Sequence, residues 1–186
     1  MESEPKDPRE AKKVICELID DLEEELLHVS HAIHENPELG YEEFQAHEIL
    51  TNSLISHGLK TEKSAYGIET AFEAKAGSSG PVIAVLCEYD ALPEIGHACG
   101  HNVIAAAGLG AGLALSQLAE SLNGQVRVIG TPAEEGGGGK VRMIRKGAFE
   151  GVDAALMIHP AGSEVERITS LAIEQMKISY TGRAAH

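Results

Sequence analysis

Apolar residues recur at three- and four-residue spacing in the first third of the chain and predict two amphipathic helices. The first carries its apolar side from Val14 to Ile33, and Asn36-Pro37 ends it because proline disfavours an α conformation in the preceding residue. The second is predicted from Tyr41 to Ser56, with Gly58 where a left-handed C-terminal cap is expected. Acidic residues along the outer side of the first helix are typical of a solvated surface.

Short apolar runs alternate with helical patterns in the rest of the chain. Strands are predicted at Ile68–Ala76, Val82–Leu86, Gln125–Gly130 and Val152–Ile158. Helices are predicted at Asn102–Leu122, which is rich in alanine and glycine, and at Lys140–Lys146. Strands that alternate with helices predict an α/β fold with a mostly parallel sheet flanked by helices. Ligands of such sheets bind beyond the carboxyl ends of the strands.

Composition and charge narrow the class of protein. A chain of 186 residues with 43% hydrophobic content can bury the core of about one domain. The net charge of −14 and the scattered positions of the 15 basic residues argue against a nucleic-acid partner. No apolar run approaches the roughly 18 residues of a membrane span, and the N-terminus shows no signal peptide, so we expect a cytoplasmic protein without a membrane partner. The three cysteines argue against a disulfide framework and leave Cys99 as a candidate reactive thiol.

Potential metal ligands follow three of the predicted strands. The segment from Glu88 to His101 follows the strand Val82–Leu86, and the segment from Thr131 to Glu135 follows Gln125–Gly130. The pair His159-Pro160 follows Val152–Ile158. Because the carboxyl ends of parallel strands meet at one edge of a sheet, we expect these segments to converge. Their nitrogen, oxygen and sulfur donors suit zinc, manganese or cobalt. The sequence therefore predicts a dinuclear site, in which a metal-activated water attacks a carbonyl and a nearby carboxylate transfers the proton.

Several residues in these segments allow more than one interpretation. Of the adjacent Glu134 and Glu135, only one can readily face a metal, which suggests a base and a ligand. A second enzyme hypothesis makes Cys99 a thiol nucleophile, with His97 or His101 as its base. The glycine run before the last helix, at residues 136–139, is also compatible with a phosphate-binding loop, but the Gly-Lys-Ser/Thr ending is absent and two carboxylates precede it. The histidines of the first two helices are interpreted as surface residues.

Five ordered motifs carry a family resemblance that spans about residues 30 to 186. They are His-Glu-Asn-Pro-Glu-Leu-Gly-Tyr-Glu-Glu, Glu-Tyr-Asp-Ala-Leu-Pro, Gly-His-Ala-Cys-Gly-His-Asn, Gly-Thr-Pro-Ala-Glu-Glu-Gly and Met-Ile-His-Pro. Together they resemble the amidohydrolase branch of the dinuclear metallopeptidases, which includes N-acyl-amino-acid, aminobenzoyl-glutamate and β-alanyl-lysine-type dipeptidase hydrolases. The resemblance implies a phosphorylase/hydrolase-like catalytic domain that cleaves the amide bond of small N-acyl amino acids or dipeptides.

The resemblance also implies roles for individual residues. Glu134 would be the general base, and Asp90 would orient a ligand from outside the metal's coordination sphere. The implied ligands of two divalent ions, Zn or Mn with Co as a further candidate, are Cys99, His101, Glu135 and His159. Where many relatives read Arg-Ala-Asp-Met-Asp, this chain has Leu86-Cys87-Glu88-Tyr89-Asp90, so the arginine is missing.

The C-terminal segment resembles the start of a second domain. Residues 1–170 are expected to form the N-terminal part of the catalytic domain, and residues 171–186 the first strand of a lid domain that usually dimerises. In the motif Thr-Gly-Arg-Ala-Ala-His, His186 would help to bind the substrate carbonyl. The resemblance implies that the full-length form is a homodimer and that this chain is truncated early in the lid. The alternative is therefore a catalytically inactive fragment that binds metal or pairs with a partner.

Overall fold

The computed structural model describes residues 7–164, 176 and 178–183, which form helices around a five-stranded sheet. The helices are α1 (Pro8–Asp21), α2 (Glu23–Glu35), α3 (Phe44–Ser56), α4 (His101–Leu118) and α5 (Gly139–Arg145). The strands are β1 (Lys60–Lys63), β2 (Phe72–Ala76), β3 (Val82–Cys87), β4 (Gln125–Gly130) and β5 (Ala154–Leu156). None of the helices in the described ranges is long and apolar enough to cross a membrane.

The strand order is β1-β2-β4-β3-β5. Strand β3 pairs in parallel with β4 and with β5, whereas β2 is antiparallel to both β1 and β4. Four strands therefore run in one direction and β2 opposes them, which confirms the predicted mostly parallel sheet with one exception. The parallel strands β4, β3 and β5 place their carboxyl ends side by side.

Helices cover the sheet on both faces because successive side chains of a strand point to opposite sides. On one face, Cys87 of β3 and Val128 of β4 pack in a core with the apolar sides of α2, α3 and α4. On the other face, Leu86 and Ile129 pack with Met143 of α5. The central strands thus pack on both faces, as the continuous apolar run of β3 predicts.

The predicted elements are largely confirmed, with four differences. The first amphipathic helix is interrupted at Leu22, where one helix ends and the next begins. Strand β2 begins at Phe72 rather than Ile68, because the chain first forms a short 3₁₀ turn at Ala65–Gly67. The polar edge strand β1 is missing from the prediction, and β5 is shorter than predicted.

The structure contradicts the prediction for one histidine and leaves the prediction for another untested. His47 on α3 is buried rather than on the surface, so the interpretation of all the helix histidines as surface residues was wrong for this one. The predicted lid strand lies mostly outside the described residues, as does His186, and both stay predictions.

Gly108 permits the close approach of α4 to the sheet. A β-carbon added there would lie 2.6 Å from the Leu86 carbonyl oxygen and 2.7 Å from the Cys87 sulfur. We expect Gly108→Ala to lower the free energy of unfolding by about 1 kcal/mol, because overpacking costs about 1–3 kcal/mol and the gain in helix propensity returns about 1 kcal/mol. Urea unfolding measures the change. Gly124→Ala, where the nearest atom is 3.8 Å away, is the control, and equal stability of the two variants would contradict this packing.

Candidate metal centre

The segments that follow β3, β4 and β5 meet at one edge of the sheet. Register pairs Cys87 at the end of β3 with Gly130 at the end of β4, and Val85 with Leu156 at the end of β5. The next residues along each strand are the ones in which the sequence predicts ligands. The structure therefore brings these three segments together, as predicted from the strand order.

Asp90 and His101 form the buried centre of the site. The alternation of an extended chain turns Tyr89 into the core, where its hydroxyl donates to the Thr70 carbonyl at 2.6 Å, and turns Glu88 and Asp90 away from it. His101 begins α4, and its Nδ1 lies 3.0 Å from Oδ1 of Asp90. A proton on Nδ1 would hydrogen bond to Asp90 and leave the lone pair of Nε2 free, the arrangement of a carboxylate that orients a metal-binding histidine.

Asp90 also ties this centre to the loop that follows β4. Its Oδ2 accepts a hydrogen bond from the backbone N–H of Glu135 at 2.9 Å. Burial raises the pKa of Asp90, but the hydrogen bonds from His101 and from backbone amides outweigh burial and lower that pKa overall. Burial lowers the pKa of His101, and the surrounding carboxylates, Asp90 first, outweigh burial and raise it. Asp90 is therefore ionised at neutral pH and able to hold the imidazole in place.

The loop after β4 carries both Glu134 and Glu135 and is anchored by buried Glu43. Oε1 of Glu43 accepts a hydrogen bond from the N–H of Ala133 at 2.8 Å, and its Oε2 accepts one from the Thr70 hydroxyl at 2.8 Å. This anchor holds Ala133 in a left-handed conformation with φ of 56°, which a residue with a β-carbon adopts only under constraint. Glu43 lies in the Tyr-Glu-Glu part of the first motif, but nothing in its local sequence indicates this role.

Glu134 and Glu135 both approach His101, in different surroundings. Oε2 of Glu134 lies 3.9 Å and Oε1 of Glu135 lies 3.7 Å from Nε2 of His101. The Glu134 side chain is 43% exposed, whereas that of Glu135 is 23% exposed and its Oε1 is buried without a hydrogen-bond partner among the described residues. Burial and the neighbouring Glu88 raise the pKa of Glu134. A solvent-accessible carboxylate of raised pKa suits a general base, and a buried unpaired oxygen suits a ligand.

Cys99 and His159 also meet beside His101. Their Sγ and Nε2 atoms lie 3.7 Å apart, and Nδ1 of His159 is 2.7 Å from the Pro160 carbonyl, to which an Nδ1 proton would donate. Gly100 allows this approach: it has φ of 85°, and a β-carbon there would lie 2.9 Å from Cγ of Pro160. Burial and nearby carboxylates, Glu135 first, raise the pKa of the Cys99 thiol to about 11.

Two groups of donors in the described ranges can each hold a cation, and they share His101. One contains Cys99, His101 and His159, and the other His101, Glu134 and Glu135, with the donor atoms of each group within 4.8 Å of one another. Nε2 of His101 and Oε1 of Glu135 are buried and have no partner in the described part of the chain. Unpaired buried polar atoms are costly, and a bound cation would satisfy both. The residues therefore fit the implied divalent metals.

The remaining predicted residues lie apart from these groups. His97 is buried near His34, with 6.4 Å between ring centroids, and it belongs to neither group found in residues 7–164.

Lys140 is a functional candidate that sequence reasoning missed, because nothing in its own segment indicates that the first turn of α5 faces Glu88.

The fold and this donor set define an α/β protein with a candidate dinuclear metal centre at the carboxyl edge of its sheet. The model of the Peptidase family M20/M25/M40 matches residues 85–183. The chain belongs to this family.

Relatives and solved structures agree with this assignment. The chain is 40% identical to Xaa-Arg dipeptidase of Mus musculus over 94% of its own length and 44% of the relative's. It is 38% identical to one subunit of the p-aminobenzoyl-glutamate hydrolase of Escherichia coli, over 85% of this chain and 37% of the relative. A dinuclear metal-binding peptidase of the M20 family from Bacillus subtilis superposes with a TM-score of 0.66 at 28% identity, covering 73% of this chain and 42% of that structure. The chain thus spans less than half the length of these relatives.

Proposed function

We propose that this chain is part of a metal-dependent hydrolase that cleaves the amide bond of small N-acyl amino acids or dipeptides. The observation that carries the proposal is the buried, unpaired Nε2 of His101, around which Glu134, Glu135, Cys99 and His159 converge. The relatives support the substrate class, since their names describe a dipeptidase, an aminobenzoyl-glutamate hydrolase and, at 30% identity, an N-acetyl-L-cysteine deacetylase. Each of these substrates contains an amide bond to an amino acid.

The proposed ligands of two divalent ions, zinc or manganese with cobalt as a further candidate, are Cys99, His101, Glu135 and His159. Such ions supply an acidified water and polarise the scissile carbonyl. Asp90 keeps the proton of His101 on Nδ1, so that the lone pair of Nε2 remains free to bind a metal. Glu134 accepts the proton of the attacking water and passes it to the leaving nitrogen.

A cavity beside the centre is the proposed place for the substrate. It has a volume of about 320 Å³, and its lining includes Asp90 and Glu135 together with Leu39, Leu92 and Pro93. The segment before α3 forms one wall, because the Ala91 N–H donates to the Glu38 carbonyl at 2.8 Å. The volume of the cavity suits a small molecule. The substrate role of His186, homodimerisation through a lid and a cytoplasmic location also belong to this proposal and rest on the family resemblance and on the sequence.

A second candidate, a catalytically inactive metal-binding or interaction fragment of the family, is favoured by the exposed edge strand β5. Its residues are exposed, and an apolar cavity of about 220 Å³ lies between it and α4. In the part of the chain that the structure describes, β5 pairs only with β3, and an unpaired strand edge can add a strand from another chain. Size and metal content of the purified chain discriminate between the candidates, because a stable monomer with two stoichiometric metals contradicts the interaction fragment.

The Cys99 nucleophile is disfavoured by its surroundings. Reactive cysteines have a lowered pKa, whereas carboxylates and burial raise that of Cys99 to about 11. Alkylation of a metal-free sample tests this hypothesis directly, since turnover by a thiol nucleophile would continue without metal and stop on alkylation.

Removal of metal tests the proposed function. We expect exhaustive chelation of the full-length protein to abolish hydrolysis of a panel of N-acetyl amino acids, Xaa-Arg dipeptides and p-aminobenzoyl-glutamate, because the converging donors would then hold no ion. Mn²⁺, Zn²⁺ or Co²⁺ added back should restore turnover, while Mg²⁺, which prefers oxygen ligands, should not. Turnover that survives chelation would overturn the metal-dependent reaction.

A further inference from the structure

Glu88 is a buried carboxylate that the proposed reaction leaves without a role. It follows β3 directly, and its side chain is 1% exposed. Lys140 of α5 donates a hydrogen bond to its Oε1, whereas its Oε2 is buried and has no partner among the described residues. One oxygen of Glu88 is therefore held by a cation of the protein, and the other is free.

The free oxygen faces His101, the residue that the two donor groups share, although Glu88 belongs to neither group. Oε2 of Glu88 lies 3.5 Å from Nε2 of His101, nearer than the closest oxygen of Glu134 or Glu135. Two donors that bind one ion tetrahedrally with bonds of about 2.0–2.2 Å lie roughly 3.3–3.6 Å apart. The Glu88–His101 distance therefore equals the spacing of two ligands on a shared cation.

A purely structural ion pair does not explain this geometry. Such a pair stabilises a buried carboxylate only if the remaining oxygen is also satisfied, and a buried acceptor without a partner costs about 1–3 kcal/mol. Neutral His101, with its proton on Nδ1 facing Asp90, offers no hydrogen bond to this oxygen; only the imidazolium form would donate to it from Nε2. A cation bound at Nε2 of His101 would satisfy both unpaired atoms at once.

We propose that Glu88 supplies a further oxygen donor to the metal centre through Oε2, and that Lys140 is the positioning residue that holds its other oxygen. This inference rests on the proposed metal centre but not on the proposed reaction. It adds to the ligands implied by the family resemblance, in which Glu88 has no assigned role.

Metal titration of the 186-residue chain tests the proposal without any substrate. Glu88→Gln keeps the shape of the side chain and an oxygen for Lys140 but removes the charge. We expect it to weaken the binding of one Mn²⁺ or Co²⁺ ion by about 10–100-fold in calorimetry and to change the visible absorption of bound Co²⁺. The control Glu62→Gln removes the same charge from the exposed edge strand β1 and should change affinity by less than about twofold.

The outcomes separate the two proposals. If the unchanged chain binds neither ion, the proposed metal centre fails. If it binds them and Glu88→Gln behaves like Glu62→Gln, only the role of Glu88 is overturned. The melting temperature of each metal-free variant establishes that it is folded, and Glu88→Asp, which keeps the charge but shortens the reach, should give an intermediate affinity.

Lys140→Met tests the positioning role through stability. Without the ammonium group, Glu88 is a buried uncompensated charge in the metal-free chain, and a cation at Oε2 would compensate it. We therefore expect Lys140→Met to lower the melting temperature more without Mn²⁺ than with saturating Mn²⁺, and Lys140→Arg to reduce this difference. In the Glu88→Gln background the difference should disappear. An equal loss with and without Mn²⁺ would show a structural ion pair and overturn the positioning role.

Discussion

Replacing Glu134 by glutamine is expected to lower kcat about a thousandfold while leaving the metal content unchanged. Glutamine retains the size of the side chain but cannot accept the proton of the attacking water, and general base catalysis typically contributes about 10²–10⁴-fold. This loss corresponds to about 4 kcal/mol in the activation free energy. The more exposed position of Glu134 and its raised pKa support this proposed role.

The adjacent Glu135 provides a matched comparison. Glu135→Gln removes the same charge one residue away, but from the buried oxygen that faces His101. We expect this variant to lose affinity for one metal ion and, as a consequence, activity. Measuring both the metal content and the steady-state kinetics of each variant distinguishes the two. If Glu134→Gln loses the metal and Glu135→Gln retains it, the roles of base and ligand are exchanged; if Glu134→Gln remains active, Glu134 is not the base.

Replacing Arg127, which belongs to neither donor group, by methionine is expected to lower the free energy of unfolding by about 3 kcal/mol. Arg127 on β4 is 12% exposed and forms an ion pair with Glu73 of β2, which is 4% exposed. It also donates hydrogen bonds to the carbonyls of Ala148 at 2.9 Å and Glu150 at 3.0 Å. Breaking a buried ion pair costs about 3–5 kcal/mol, and Lys75, 2.7 Å from Glu73, moderates the loss.

Thermal unfolding measures this effect, as a fall in Tm of roughly 6–12 °C for a chain of this size. The exposed Lys75→Met is the control and should cost less than about 1 kcal/mol. Replacing both partners, in Arg127→Met/Glu73→Leu, should recover much of the loss, because no buried charge is then left unpaired. A double variant that is less stable than Arg127→Met would contradict the ion pair as the source of the effect.

The same pair predicts a pH dependence. Burial raises the pKa of Glu73, but hydrogen bonds from Lys75, Tyr66 and Arg127 outweigh burial and lower that pKa below its ordinary value. The folded state therefore binds this proton less readily than the unfolded state, and the stabilisation is present above the unfolded pKa of about 4.3. We expect the stability difference between the unchanged chain and Arg127→Met to shrink as the pH falls below this value.

Much of the fold follows from local sequence pattern. The three- and four-residue spacing of apolar residues predicted α3 and the region of α1 and α2. A continuous apolar run predicted β3, because burial on both faces leaves little room for polar residues, and β4 was predicted as a further buried strand. Strand β1 was missed because an edge strand with polar residues carries no such pattern. The start of β2 was misplaced because Tyr66, with φ of 57°, forms a turn that its residue type does not predict.

The candidate centre was predictable to the extent that its donors follow strands in the sequence. Strand order alone placed Cys99, His101, Glu134, Glu135 and His159 at one edge, because parallel strands align their carboxyl ends. Glu43 and Lys140 could not be found in this way. Their roles depend on contacts of the residue before α3, or of the first turn of α5, with segments some 90 or 50 residues away along the chain, and no local pattern encodes such contacts.

The sequence by itself determined the family, the order of most helices and strands apart from β1 and the break between α1 and α2, and the residue types that gather at the carboxyl edge. These are properties of spacing and of chemical composition along one chain. Only the tertiary structure decided which donor atoms remain free: Asp90 occupies one nitrogen of His101, Lys140 occupies one oxygen of Glu88, and the loop held by Glu43 exposes Glu134 but buries the free oxygen of Glu135. The physical reason is that hydrogen bonding and burial of an atom depend on neighbours brought from distant segments by folding.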